Sequence, residues 1–250
     1  MGDPLHIVSV MRRRLLLVLG LAAALANGCA AEMVDSGDPG DEFDYSTETD
    51  GKSDGASFNQ HDIISDELFT AAGAMSAADV QAFFESSPYN NRSWLADYQV
   101  NGVSAAQFIV DAAESQQIHP LMLIARMQVE ASLVSKTAKP SQTRVDKALG
   151  CGCPDGGGCS SSFRGFGPQM QCGAETLRKW YDASIDGSGQ WRQGVSRKTL
   201  DPRTVTPANH ATASLYAYTP WVLVGSGGNW LVWNVTRKYV RHAEANGLVH

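Results

Sequence analysis

Four cysteines, Cys151, Cys153, Cys159 and Cys172, fall within 22 residues of this 250-residue chain and constrain it more than any other feature. Cross-links so close in sequence hold one short loop, and what they form depends on the compartment. In an exported chain two disulfides are the default. Of the three pairings, Cys151–Cys153 is disfavoured, because cysteines separated by one residue bridge under strain. A four-cysteine zinc site is the competing arrangement. Its spacings of one, five and twelve intervening residues lack the paired C-x₂-C knuckles of such sites.

The N-terminus points to export. Met11 is a better start than Met1, because Arg12-Arg13-Arg14 forms a positive n-region and Leu15 to Ala26 a 12-residue apolar h-region. That run is shorter than the roughly 20 residues of a membrane span and reads as a signal peptide over 1–31. Ala26-Asn27-Gly28-Cys29 places a small residue before Cys29, as a bacterial lipobox requires. Lipidation of Cys29, giving a membrane tether, stands against ordinary cleavage after Ala30-Ala31. Both lead to the cell envelope or beyond it.

Charge divides the rest of the chain. Residues 30–62 hold ten Asp or Glu against Lys52 alone, a balance of −9. "DSGDPGDEFDYSTETDGKSDG" (35–55) has almost nothing to bury, so 32–62 is expected to be a solvated, self-repelling, disordered linker. Its Asp spacing lacks the full register of a calcium loop, and no metal or cofactor is expected. From residue 63 onward 15 acids meet 16 bases. Such balance gives no electrostatic case for nucleic acid.

Residues 63–250 read as one mainly α domain with a disulfide-pinned, Gly-rich loop. Ser76-Ala-Ala-Asp79 resembles a capping box and opens "ADVQAFFESS". "SAAQFIVDAAESQQ" (104–117) carries Ala106, Phe108, Ile109, Ala112 and Ala113 at helical spacing. Pro120 suits the first turn of the next helix. Further helices are expected from Pro168, after Pro207, and over about 228–246, closed by Gly247. Strand signals are weak.

One acid ends an otherwise apolar run, His119-Pro-Leu-Met-Leu-Ile-Ala-Arg-Met-Gln-Val-Glu130. Leu123 and Met127 lie seven and three residues before Glu130, on the same helical face. A carboxyl group emerging from an apolar stripe tends to keep its proton, as a general acid at neutral pH must. An exposed, frayed helix end is the plain alternative.

That run is followed by "ALGCGCPDGGGC", "FRGFGPQMQCGAETLRKWYD" and "NHATASLYAYTPW". In this order the set resembles bacterial cell-wall hydrolases of the lysozyme superfamily, more closely the lytic-transglycosylase and endo-β-N-acetylglucosaminidase branches. The resemblance covers roughly 75–225. It implies a lysozyme-like fold, a monomer acting on peptidoglycan glycan strands, and Glu130 as catalytic acid. The family's serine after the acid is Ala131 here, with Ser132 one further on as the candidate hydroxyl. Gly165-Phe166-Gly167-Pro168-Gln169-Met170 resembles an expanded Gly-Leu-Met-Gln turn, which implies Gln169 as a sugar-contacting amide. Asn209, Tyr216 and Tyr218 match the segment whose tyrosine faces the acid. Thr219-Pro220 stands where transglycosylases often have Asn-Ala-Gly, which points to the glucosaminidase-like branch.

Each of these residues also has a purely structural reading. Asn209 suits a helix N-cap. Tyr216 and Tyr218, about 200° apart on a helix, cannot both face a cleft. Tyr218 is the cleft candidate and Tyr216 the core one. Asp146 and Asp155 are candidates for a second carboxylate and equally for loop caps. Neither is required if the substrate supplies its own nucleophile. The competing functional class is a non-catalytic peptidoglycan- or polysaccharide-binding module on the same fold.

Overall fold

The computed structural model describes residue 48 and residues 57–154 and 159–250. The signal peptide, Cys29 and Asp155 lie outside the described residues, as does the acidic segment apart from Glu48 and residues 57–62.

The described chain is mainly helical. In order it forms α1 (Asp66–Thr70), α2 (Ala77–Glu85), the hairpin β1 (Gln99–Val100) and β2 (Val103–Ser104), α3 (Ala105–Ser115), α4 (Pro120–Ala131) and α5 (Gln142–Asp146). There follow α6 (Phe166–Ile185), the hairpin β3 (Arg197–Lys198) and β4 (Thr204–Val205), α7 (His210–Tyr218) and α8 (Gly228–Ala245). Each hairpin pairs antiparallel over two residues per strand. The weak strand signals of the sequence correspond to these two short ribbons.

Local chemistry sets the helix starts. Ser76 and Asp79 form the expected reciprocal capping box, with the Ser76 amide donating to Asp79 at 2.8 Å. α6 opens at Phe166, two residues before Pro168. Proline is tolerated there because first-turn amides have no intrahelical acceptor. α7 opens at His210 because the Asn209 side chain accepts the Thr212 amide at 2.7 Å. Short helices α1 and α5, with too few turns to carry a periodic signal, went unforeseen.

α4 is the central element. Every residue from Pro120 to Gln128 is buried, and the helix packs against α3 and α8. A helix buried on every side can only be an interior one. α6 lies against α3 and α7 on the other side. The packed chain begins ahead of the expected boundary at 63. Phe58 meets Trp233 edge-on at 5.7 Å, and the Gln60 carbonyl accepts the Tyr216 hydroxyl at 2.9 Å.

His119 caps α4 with an imidazole rather than a hydroxyl. Its Nδ1 accepts the Leu121 amide at 3.0 Å, and its own amide donates to the Phe69 carbonyl. Burial pushes the His119 pKa down from 6.5 to about 4, so the folded domain holds the neutral ring. The unfolded chain therefore binds the proton first. This contribution is complete above pH 6.5 and is lost as pH falls toward 4, about 3 kcal/mol in all. Urea midpoints taken between pH 7 and pH 4 are expected to show that slope. His119→Asn, which keeps a capping acceptor without the titration, is expected to flatten it.

The cysteines pair as Cys151–Cys172 and Cys153–Cys159. This decides the connectivity and sets aside the zinc alternative. Among the described residues, no group of three or more His, Cys, Asp or Glu could hold a metal ion. Disulfides accord with an extracellular or periplasmic protein. No helix among the described residues is long and apolar enough to cross a membrane.

Candidate functional site

Glu130 sits in the last turn of α4, its side chain 11% exposed. The helix ends two residues later at Ser132, held left-handed at φ 50°, its amide donating to the Gln128 carbonyl. One turn before the acid, on the same face, lies Arg126, whose side chain is only 2% exposed. Its Nη2 donates to Glu130 Oε1 and, at 2.8 Å, to Thr219 Oγ1. The guanidinium also lies 4.3 Å from the centre of the Tyr218 ring. Its Nε and Nη1 are buried with no hydrogen-bond partner among the described residues.

The network closes through the disulfide loop. Tyr218 donates its hydroxyl to the Leu149 carbonyl at 2.8 Å. Leu149 precedes Gly150, whose φ of 66° needs a residue without a side chain. A Cβ at position 150 would stand 3.7 Å from Glu130 Oε2. The turn thus brings bare backbone up to the carboxylate. Glu130, Arg126, the Tyr218-Thr219 end of α7 and the Leu149-Gly150 turn form one contiguous cluster.

Gln169 holds that turn in place. Its Oε1 accepts the amides of Leu149 and Cys151 at 3.0 and 3.1 Å. Its Nε2 donates to the carbonyls of Cys151 and Phe163, both at 2.7 Å. Both acceptor lone pairs and both amide protons are spent, and the side chain is fully buried. Gln169 acts here as a loop pin, and a sugar contact would need these bonds broken. Beside it, a Cβ on Gly173 would meet Leu149 Cδ1 at 2.3 Å, so a larger residue there would push the Leu149 side chain aside. Gln169→Ala is expected to lower stability by about 2–3 kcal/mol, because four backbone groups, three of them in buried bonds, lose their partner. Equilibrium denaturation would register it.

The remaining sequence candidates have structural roles. Tyr218 is buried beneath Arg126, with its hydroxyl committed to Leu149, so it positions the arginine from inside the fold. Tyr216 is a core residue, stacked on Trp191 at 5.0 Å. Asn209 is the α7 cap and also donates to Asp62. Ser132 is the αL terminus of α4. Asp146 ends α5, its carboxylate accepting Gln142 Nε2 at 2.9 Å. Two surface cavities, about 310 and 640 Å³, are lined by residues such as Ile63, Trp233 and Arg237, and Phe58, Arg203 and Val224. Neither includes Glu130.

Arg126 and Gly150 were the partners that sequence reasoning missed. A lone basic residue four before the acid, inside an apolar helix, was the available signal for the first. Gly150 meets Glu130 only through the fold. Comparison with protein-family models, with curated proteins and with solved structures gives no match to this chain.

Proposed function

We propose that this chain is an exported enzyme that cleaves the β-1,4 glycan backbone of peptidoglycan on a lysozyme-like domain, with Glu130 as its general acid. The observation that supports this reading is the setting of Glu130. The carboxylate lies at the end of the central buried helix, 11% exposed, against a turn kept bare by Gly150. Glu130 would give its proton to the leaving glycosidic oxygen as the anomeric carbon acquires oxocarbenium character. The substrate's own N-acetyl oxygen, or a muramyl 6-hydroxyl, would then attack that carbon, so no second carboxylate is required. Thr219-Pro220 in place of Asn-Ala-Gly favours the glucosaminidase type.

A second reading, a non-catalytic peptidoglycan-binding module, draws on a specific observation. Arg126 is paired with Glu130, and a guanidinium partner favours the ionised form of a carboxyl. The polar atoms of Gln169 and Tyr218 are occupied within the fold.

Incubating the exported chain with peptidoglycan beside a Glu130→Gln control, with mass spectrometry of released fragments, separates these readings. Hydrated fragments with reducing N-acetylglucosamine, absent with the variant, are expected. Anhydro-muropeptides would assign a lytic transglycosylase instead. Sedimentation with the wall and no fragments would leave the binding module.

A further inference from the structure

Glu48 belongs to the acidic segment, yet it is 1% exposed and inserted into the helical domain. Tyr89 Oη donates to its carboxylate, 2.7 Å from Oε1 and 2.8 Å from Oε2. Gln128 Nε2 donates to Oε1 at 2.8 Å, and Lys238 Nζ stands 3.9 Å from Oε2. The Tyr239 hydroxyl lies 2.9 Å from that of Tyr89 and extends the chain of donors. Burial raises both phenols far above their ordinary range, so both keep their protons.

Gln128, Lys238 and Tyr239 are 1%, 7% and 0% exposed. Moving a carboxylate out of water costs several kcal/mol unless charge and hydrogen bonds compensate it. Here one cation and two neutral donors, from the α2–β1 connection, α4 and α8, converge on one anion. This one is buried because a complementary site exists for it.

We propose that Tyr89, Gln128 and Lys238 form a carboxylate-binding socket, filled in cis by Glu48, which takes a small free carboxylate when the Glu48 side chain is absent. The acidic segment is thereby anchored on the domain at residue 48 rather than acting only as a free tether. The anchor also reaches the turn after the candidate acid. Gln128, whose Nε2 holds Glu48, accepts the amides of Val134 and Ser135 at its Oε1, at 2.9 and 3.1 Å. Filling the socket fixes the orientation of that amide and with it the chain leaving α4. The proposal is independent of whether Glu130 catalyses anything.

The test is chemical rescue in the full exported chain. Glu48→Ala is expected to lower Tm by about 5–10 °C, because Lys238 and Gln128 lose a buried partner. Adding about 100 mM acetate, against chloride at equal ionic strength, is expected to restore at least half of that loss with saturation and to leave the native chain unmoved. Lys238→Met in the Glu48→Ala background is expected to abolish the rescue. In amide NMR spectra, Val134 and Ser135 should shift in Glu48→Ala and return with acetate. Glu48→Gln, which fills the socket without charge, should have an intermediate Tm indifferent to acetate.

An unchanged Tm in Glu48→Ala would overturn the proposal. So would an acetate response equal in the native chain, in Glu48→Gln or in the Lys238→Met double variant. If Glu48→Ala does not fold in chloride, the yield on refolding becomes the readout. Absence of recovery in acetate then overturns the proposal equally.

Discussion

Arg126→Met is expected to destabilise the domain by about 3 kcal/mol, measured as a fall in the denaturation midpoint at neutral pH. Among the described residues the arginine is the largest fully buried side chain, and it is an ion-pair partner of Glu130. Methionine fills much of the same volume, so the loss comes from electrostatics and hydrogen bonding more than from a cavity. Glu130 loses the Arg126 charge, Thr219 Oγ1 loses a donor at 2.8 Å, and the Tyr218 ring loses the guanidinium above it. Arg126→Met combined with Glu130→Gln is expected to recover much of the loss, because no uncompensated charge remains in that double variant. If the single and double variants are equally unstable, packing rather than the ion pair holds this corner.

On the proposed enzymatic function, Glu130→Gln is expected to reduce peptidoglycan cleavage by about 10²–10⁴-fold. Glutamine keeps the shape and an oxygen that accepts from Arg126, but it leaves the buried guanidinium without the Glu130 charge, so a lower Tm is expected as well. The amide has no proton to give to a leaving oxygen, so the chemical step loses its acid. Measuring cleavage well below the Tm of the variant separates the two effects. A loss of activity while the variant is fully folded assigns Glu130 to the chemistry. Activity that is normal wherever the variant is folded would make Glu130 only a structural partner of Arg126. Retained cleavage would remove Glu130 from the mechanism altogether.

Reading the sequence located the helices well because their signals are local. The Ser76–Asp79 box, Pro120 and Gly247 mark boundaries through backbone chemistry that each short segment carries with it. The Pro120–Ala125 run is apolar on every side, which marks α4 as an interior helix. Disulfide formation followed from the four clustered cysteines. Which cysteine meets which did not, because pairing depends on how the loop is laid on α6.

The site was legible only in outline. Glu130 stood out as a charge ending an apolar stripe, a one-dimensional contrast. The partners of Glu130 and the true duties of the neighbouring candidates depend on segments that approach only in three dimensions. Gln169 and Tyr218 match a motif in residue type, but tertiary contacts aim their polar atoms inward, at Leu149, Cys151 and Phe163. Likewise nothing in a run of acids distinguishes Glu48 from its neighbours. By itself the sequence determined a mainly helical, cross-linked domain and the axis on which its acid is carried, because periodicity, capping and burial demand are properties of short segments. The tertiary structure alone decided which charges are neutralised, which amides are already spent and which acidic residue is buried, because Coulombic and hydrogen-bond partners are set by distance in space.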